Sequence, residues 1–207
     1  MEVQFYGGNC ITLTSKQLKI VVDDYLESYG RKSISRDSDL LLFTASHDEP
    51  KVKPQLLIDH PGEYEVGGVS VYGIAARAHT DESGKSATMY KIITDDIRYL
   101  VTGHVYPELS ERQLEEIGAV DVMFVPVGGN GFTTDPVGAL KLIKEVEPKV
   151  VIPTHYHDDA LKFEVPAQPL DAALTGIGFE VKETVDKLKL KPSDIGELAH
   201  IVVLKRS

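Results

Sequence analysis

The spacing of apolar residues changes character midway along the chain. In the first half they come in short runs bounded by turn formers, over residues 3–5, 10–14, 18–22, 39–44, 69–76, 88–94 and 98–102. Runs of this length, rich in Val, Ile, Leu and Tyr, predict strands, and Asp95-Asp96 predicts a hairpin turn between the last two. Their succession, broken by the polar stretch 27–38, reads as consecutive antiparallel strands. In the second half strands alternate with capped helices. Ser110 precedes ERQLEEIG, with Gln113 three residues on and Gly118 after the last turn, a capping box with a glycine stop. VDVMFVPV is a buried strand. Asp135-Pro136 opens VGALKLIKEV as an N-cap followed by proline at the first helical position, with Leu140, Leu142 and Ile143 as the apolar stripe. KVVIPTHY is the next strand, a helix follows near 170–175, and FEVKET, KLKLK and HIVVLKRS close as strands. This is an α/β chain in which sheet and helix layers cover one another.

Candidate chemistry sits where the apolar runs stop. LLLFTASHDEPK, residues 40–51, passes from strand to a histidine and two acids in a few positions. His47, His79, His104 and His155 share that context, each following an apolar run: LLLFTASH, VYGIAARAH, IRYLVTGH and KVVIPTH. Neutral imidazole is a common zinc ligand, and strand ends on one sheet edge can bring such residues together. One histidine in that position is ordinarily hydrogen-bonded or solvated; four in the same setting give a shared metal site equal weight. His60, His157 and His200 are not assigned as ligands. The glycine-rich stretch VGGNGFTTD could offer backbone N–H groups to an anion, though a strand-to-helix turn uses the same residues. HPGEYEVGG, residues 60–68, reads as a turn-rich rim or strand bend.

Composition narrows the classes. With 207 residues, 42% of them hydrophobic, the chain can bury a sizeable core, and 1–207 is expected to form one domain. No window nears the roughly 18 consecutive apolar residues of a membrane span, and MEVQFYGG carries no signal-like core, so a cytoplasmic protein is expected. Cys10, the single cysteine, lies in an apolar strand pattern and cannot form an internal disulfide. A formal net charge of −10 argues against nucleic acid or an anionic membrane as partner. A small-molecule substrate is the expected partner.

VQFYGGNCITL, LKIVVDD, SDLLLFTASHDEP, HPGEYEVGGVSVYGIAARAH, RYLVTGH, VDVMFVPVGG and TTDPVGALKLIKEVEPKVVIPTHY together resemble the metallo-β-lactamase-fold metal-dependent hydrolases. The likeness is to their small single-domain branch, which includes the ascorbate-phosphate lactonase. It implies a four-layer αββα sandwich with a metal site on the shared edge of two sheets. The family's first motif, His-x-His-x-Asp-His, falls on Ala45 to Pro50 and keeps only its second histidine, His47. Glu49 stands where the family has aspartate, and Ala45 and Pro50 carry no ligand atom. The resemblance places further ligands on His79 and His155, puts His104 where a bridging aspartate belongs, and matches Asp23 to a supporting acid. A carboxylate can offer oxygens to two cations, whereas neutral imidazole has one lone pair.

What survives is expected to hold one divalent metal, zinc before manganese, on His47, His79, His104 and His155, with Asp48 or Glu49 as general base. The expected activity is hydrolysis of a small ester, lactone or phosphorylated substrate by a metal-activated water. The alternative is a catalytically inactive descendant, without metal, that binds a ligand or partner through the same pocket.

Overall fold

The structure, a computed structural model, describes residues 1–207 except 16, 17, 83 and 85. Five strands open the chain: β1 (Glu2–Gly7), β2 (Cys10–Thr14), β3 (Lys19–Val22), β4 (Leu40–Leu42) and β5 (Leu56–Ile58). They are followed by β6 (Gly62–Val66), β7 (Val69–Ala76), β8 (Ala87–Thr94) and β9 (Ile97–Val101). Helix α1 (Glu111–Ile117), β10 (Val122–Pro126), α2 (Pro136–Val146), β11 (Val150–Thr154) and α3 (Leu170–Ile177) form the alternating part. β12 (Val181–Val185), β13 (Leu188–Lys189) and β14 (His200–Leu204) complete the chain.

The strands make a six-stranded sheet in the order β13-β1-β2-β3-β4-β5 and an eight-stranded sheet in the order β12-β14-β11-β10-β9-β8-β7-β6. The sheets face each other across a core that includes Phe5, Leu13, Leu40 and Leu42 from the first and Tyr90, Tyr99, Phe124 and Ile152 from the second. The outer face of the larger sheet is covered by the helices, through Ile117, Ala139, Leu142, Ile143 and Ile177. β10 and β11 are therefore buried on both faces, which is why VMFVP and VVIPT are apolar throughout. The sandwich expected from the sequence is present. Its fourth layer is made of loop segments, with Leu26, Tyr25, Tyr29, Leu161 and Phe163 packing over Cys10, Val21 and Leu41.

The caps read from the sequence hold. Ser110 and Gln113 form the capping box of α1, and the Asp135 side chain accepts from the Gly138 N–H at the start of α2. Two expectations change. β3, β4 and β5 are parallel, because the connections 23–39 and 43–55 carry the chain back to the same end each time. HPGEYEVGG contains strand β6, paired antiparallel with β7, and Gly67 and Gly68 form the turn with left-handed φ of 57° and 77°. Among the described residues no helix is long and apolar enough to cross a membrane.

The registers run β7, β9, β10 and β11 in one direction, so their C-terminal ends share one edge. The end of β4 meets them there through Thr88 N–H donating to the Thr44 carbonyl at 2.8 Å. Gly103, just beyond β9, has φ 62°, and a Cβ on it would lie 2.4 Å from Thr44 Oγ1. Gly103→Ala is expected to cost about 2 kcal/mol or more, from left-handed backbone strain plus overpacking. A denaturant melt with unchanged slope and a lower midpoint checks this.

Candidate functional site

The shared edge is fixed from below by a buried acid. Asp23, fully buried with φ 52°, follows β3 and accepts the Thr44 N–H and the Thr44 Oγ1–H, both at 2.7 Å. Burial, only partly offset by those hydrogen bonds, raises its pKa from the ordinary carboxylate value to about 7. Both oxygens are committed to Thr44, so Asp23 positions the strand ends. On the other side His155 also adopts a left-handed backbone, φ 48°, and its N–H donates to the Gly8 carbonyl at 2.8 Å. Gly128 makes room for that bend, since a Cβ there would meet the His155 carbonyl at 2.2 Å. Non-glycine residues held at positive φ are strained positions that the surrounding structure must enforce.

Two of the four strand-end histidines, His104 and His155, meet ring to ring on the cavity wall, and His79 is joined to His104 through the backbone. His79 N–H donates to the His104 carbonyl at 2.7 Å, in a short antiparallel track where Ala78 bridges Val105. The rings of His104 and His155 stand edge to face with centroids 4.6 Å apart. On all three the Nδ1 atom is buried without a hydrogen-bond partner. Desolvation makes the charged form unfavourable, so His155 falls to about 4, while His104 is held well below its ordinary value and His79 is lowered too. All three are neutral imidazoles at pH 7. Buried polar atoms of this kind are normally paired, so three orphans call for an explanation.

The structure does not bring His47 to them. Its Nδ1 lies 2.7 Å from the Asp48 carbonyl and its Nε2 3.2 Å from the Asp59 carboxylate, while the ring stacks on Phe43 at 3.9 Å. Both nitrogens are thus engaged away from the cluster. Asp48 and Glu49 lie exposed along an outer groove beside His47 and do not line the histidine cavity. The reason is local: Tyr25 Oη donates to the Ala45 and Ser46 carbonyls at 3.0 and 3.3 Å, fixing the chain just before His47, and Glu49 lies in a neighbouring pocket with Thr44, Ser46 and Thr88. His157 is exposed beside Asp159. VGGNGFTTD provides a helix cap rather than a free N-terminus, because Asp135 already occupies it.

His104 and His155 line a cavity of 450 Å³ whose walls include Tyr25, Tyr29, Phe132 and Phe163. Sequence reasoning missed these rings. Phe132 contacts both histidines, with centroids 4.9 Å from His104 and 5.5 Å from His155, and Phe163 lies 4.6 Å from His155. Their only sequence signal is an aromatic residue inside otherwise polar connections. Glu164 and Lys162 are the two charged residues on the cavity wall among the described residues.

Residues 2–155 match the beta-lactamase superfamily domain. A protein of Thermococcus onnurineus named a metal-dependent hydrolase is 31% identical over 96% of this chain and 100% of its own length. The chain belongs to the metallo-β-lactamase superfamily. A Thermotoga maritima member of known structure shares 27% identity and superposes with a TM-score of 0.76, over 99% of this chain and 98% of its own. A protein of Parabacteroides distasonis, at 16% identity and TM-score 0.66, shares the fold over 98% of this chain and 93% of its own.

In this superfamily member the donors fit a metal in kind, since each of the three imidazoles has a buried Nδ1 with no hydrogen-bond partner. Among the described residues Glu164 is the one carboxylate on the cavity wall. Among the described residues, no three His, Cys, Asp or Glu side chains stand as they are in an arrangement that could hold a metal. An ion would have to draw the rings together.

The lowered His155 has a consequence for metal-free protein. Between its unfolded value near 6.5 and its folded value near 4, the unfolded chain binds a proton that the native state does not, so stability falls as pH falls. The raised Asp23 acts in the opposite sense, losing stability as pH rises from 3.8 to about 7, and cancels in a comparison of variants. The stability advantage of wild type over His155→Gln is expected to shrink by roughly 2 kcal/mol between pH 7 and 4.5. Urea titrations at both pH values measure it.

Proposed function

We propose that the protein is a hydrolase that uses one divalent metal, held by His79, His104 and His155, against a small-molecule substrate. The observation that supports this reading is the set of three imidazole Nδ1 atoms, on His79, His104 and His155, that are buried without a hydrogen-bond partner. The relatives support the class: the Thermococcus protein is named a metal-dependent hydrolase, and the Thermotoga protein is described as a candidate Zn-dependent hydrolase. When bound, such a metal lowers the pKa of its water towards 7 and polarises a carbonyl or phosphoryl oxygen.

The chain's own residues supply the rest. His104 and His155 are kept neutral, so no proton competes for their nitrogens at pH 7. The aromatic rings of Phe132 and Phe163 pack against these histidines, whose Nδ1 atoms are buried. Because Asp48 and Glu49 do not line the cavity, Glu164, the carboxylate on its wall, takes the role of proton acceptor in this reading. Drawing the rings together costs free energy, so affinity for the ion should be below that of a preorganised site. Protein purified without chelator or immobilised nickel should hold up to one zinc or manganese by elemental mass spectrometry, and His79→Ala or His155→Ala should lose it. Glu164→Gln should keep the metal and lower kcat on ester and lactone substrates by about 100-fold. Stoichiometric binding of two metals, or metal content indifferent to both histidine substitutions, would refute the assignment.

A second reading rests on the position of Asp48 and Glu49 off the cavity wall and on the unassembled ligand set. In it the cavity binds a ligand without metal chemistry. No metal under any loading condition, with the fold intact, would favour it.

A further inference from the structure

The wall that closes the cavity beside His155 is the connection 158–168, and it is tied down at several points. Arg206 Nε donates to Asp158 at 2.6 Å, Lys162 N–H to the Tyr29 carbonyl at 3.1 Å, and Gln168 N–H to the Gly128 carbonyl at 2.9 Å. Asn130 Nδ2 donates to the Pro166 carbonyl. This strap carries Phe163 over His155, with the two rings 30° from parallel, and Phe163 meets Tyr29 edge to face at 5.0 Å. Phe132 comes from the opposite connection, before α2. Strap and loop thus bring aromatic walls from two sides to the histidine pair.

Among the described residues the charged side chains on the cavity wall are Lys162 and Glu164, both exposed on the strap and opposite in sign. Its apolar lining is mostly aromatic, with Tyr25, Tyr29, Phe132 and Phe163 against the smaller Ala45, Ala78 and Val165, and a 450 Å³ cavity suits a small molecule. Ring faces and edges favour another ring over an aliphatic group of equal size, because offset and edge-to-face pairs gain beyond buried area.

We propose that the cavity selects a neutral planar aromatic group next to the reacting bond, with Phe163 and Phe132 as the specificity-determining residues. This names the substrate class of the proposed hydrolase and rests on that reading for the reaction, but not for the binding. An aryl ester or aryl amide fits it; an alkyl ester does not.

The test is a titration with benzamide and with cyclohexanecarboxamide, neutral amides of similar size, followed by ¹H–¹⁵N spectra in metal-free and zinc-loaded protein. Benzamide should bind about tenfold more tightly in both states, the sum expected of two ring contacts. Phe163→Leu should bring the ratio close to one, and Phe163→Tyr should restore it. Phe132→Leu provides the same reading if Phe163→Leu does not fold. Equal affinities, no binding by folded wild type, or a ratio unchanged in the leucine variants would overturn the proposal. Aromatic preference in metal-free protein that never hydrolyses an ester would uphold it while ending the hydrolase reading. Hydrolysis without aromatic preference would do the reverse.

Discussion

The buried carboxylate of Asp23 holds the architecture of the site together. By accepting both the N–H and the hydroxyl of Thr44, it joins the end of β3 to the end of β4 at the edge where the second sheet arrives. Thr44 in turn leaves room only for glycine at 103, and the residue after that glycine is His104. A group that is costly to bury is thus placed where it fixes one sheet against the other within a residue of the candidate ligand. His155 is held from the other side, by Gly8 and by the absence of a side chain at Gly128.

Burial that is expensive for Asp23 is useful for the histidines. The same dry environment that raises a carboxylic acid keeps imidazoles neutral, and neutral nitrogen is what a metal or a proton in transit needs. His104, which the resemblance sets where a bridging aspartate belongs, fits that environment, since an imidazole tolerates aromatic neighbours better than a carboxylate does. Phe132, Phe163 and Tyr29 follow the same logic, and the centre is far less anionic than the superfamily's motif implies.

Much of this was legible in the sequence. The strand runs, the caps at Ser110 and Asp135 and the strand-end histidines were readable because each depends on neighbours within a few residues. The αββα sandwich rested on the match of VDVMFVPVGG and TTDPVGALKLIKEVEPKVVIPTHY to the family. His47 could not be placed from sequence, because its position depends on Asp59, Phe43 and the pull of Tyr25 on the 45–46 carbonyls, all contacts between separate segments. The aromatic walls were hidden for the same reason. A phenylalanine in a polar connection shows its role only once the strap is laid across the sheet edge. The parallel pairing of β3, β4 and β5 was obscured by connections that carry no regular pattern.

The proposed metal centre consists of His79, His104 and His155, with His47 outside it. Imidazole ¹⁵N shifts recorded during a zinc titration test it directly. The account predicts that one equivalent of zinc moves the resonances of those three rings to metal-bound values and leaves His47 unchanged. Movement of His47 together with the others, or a second equivalent bound as tightly as the first, would contradict it.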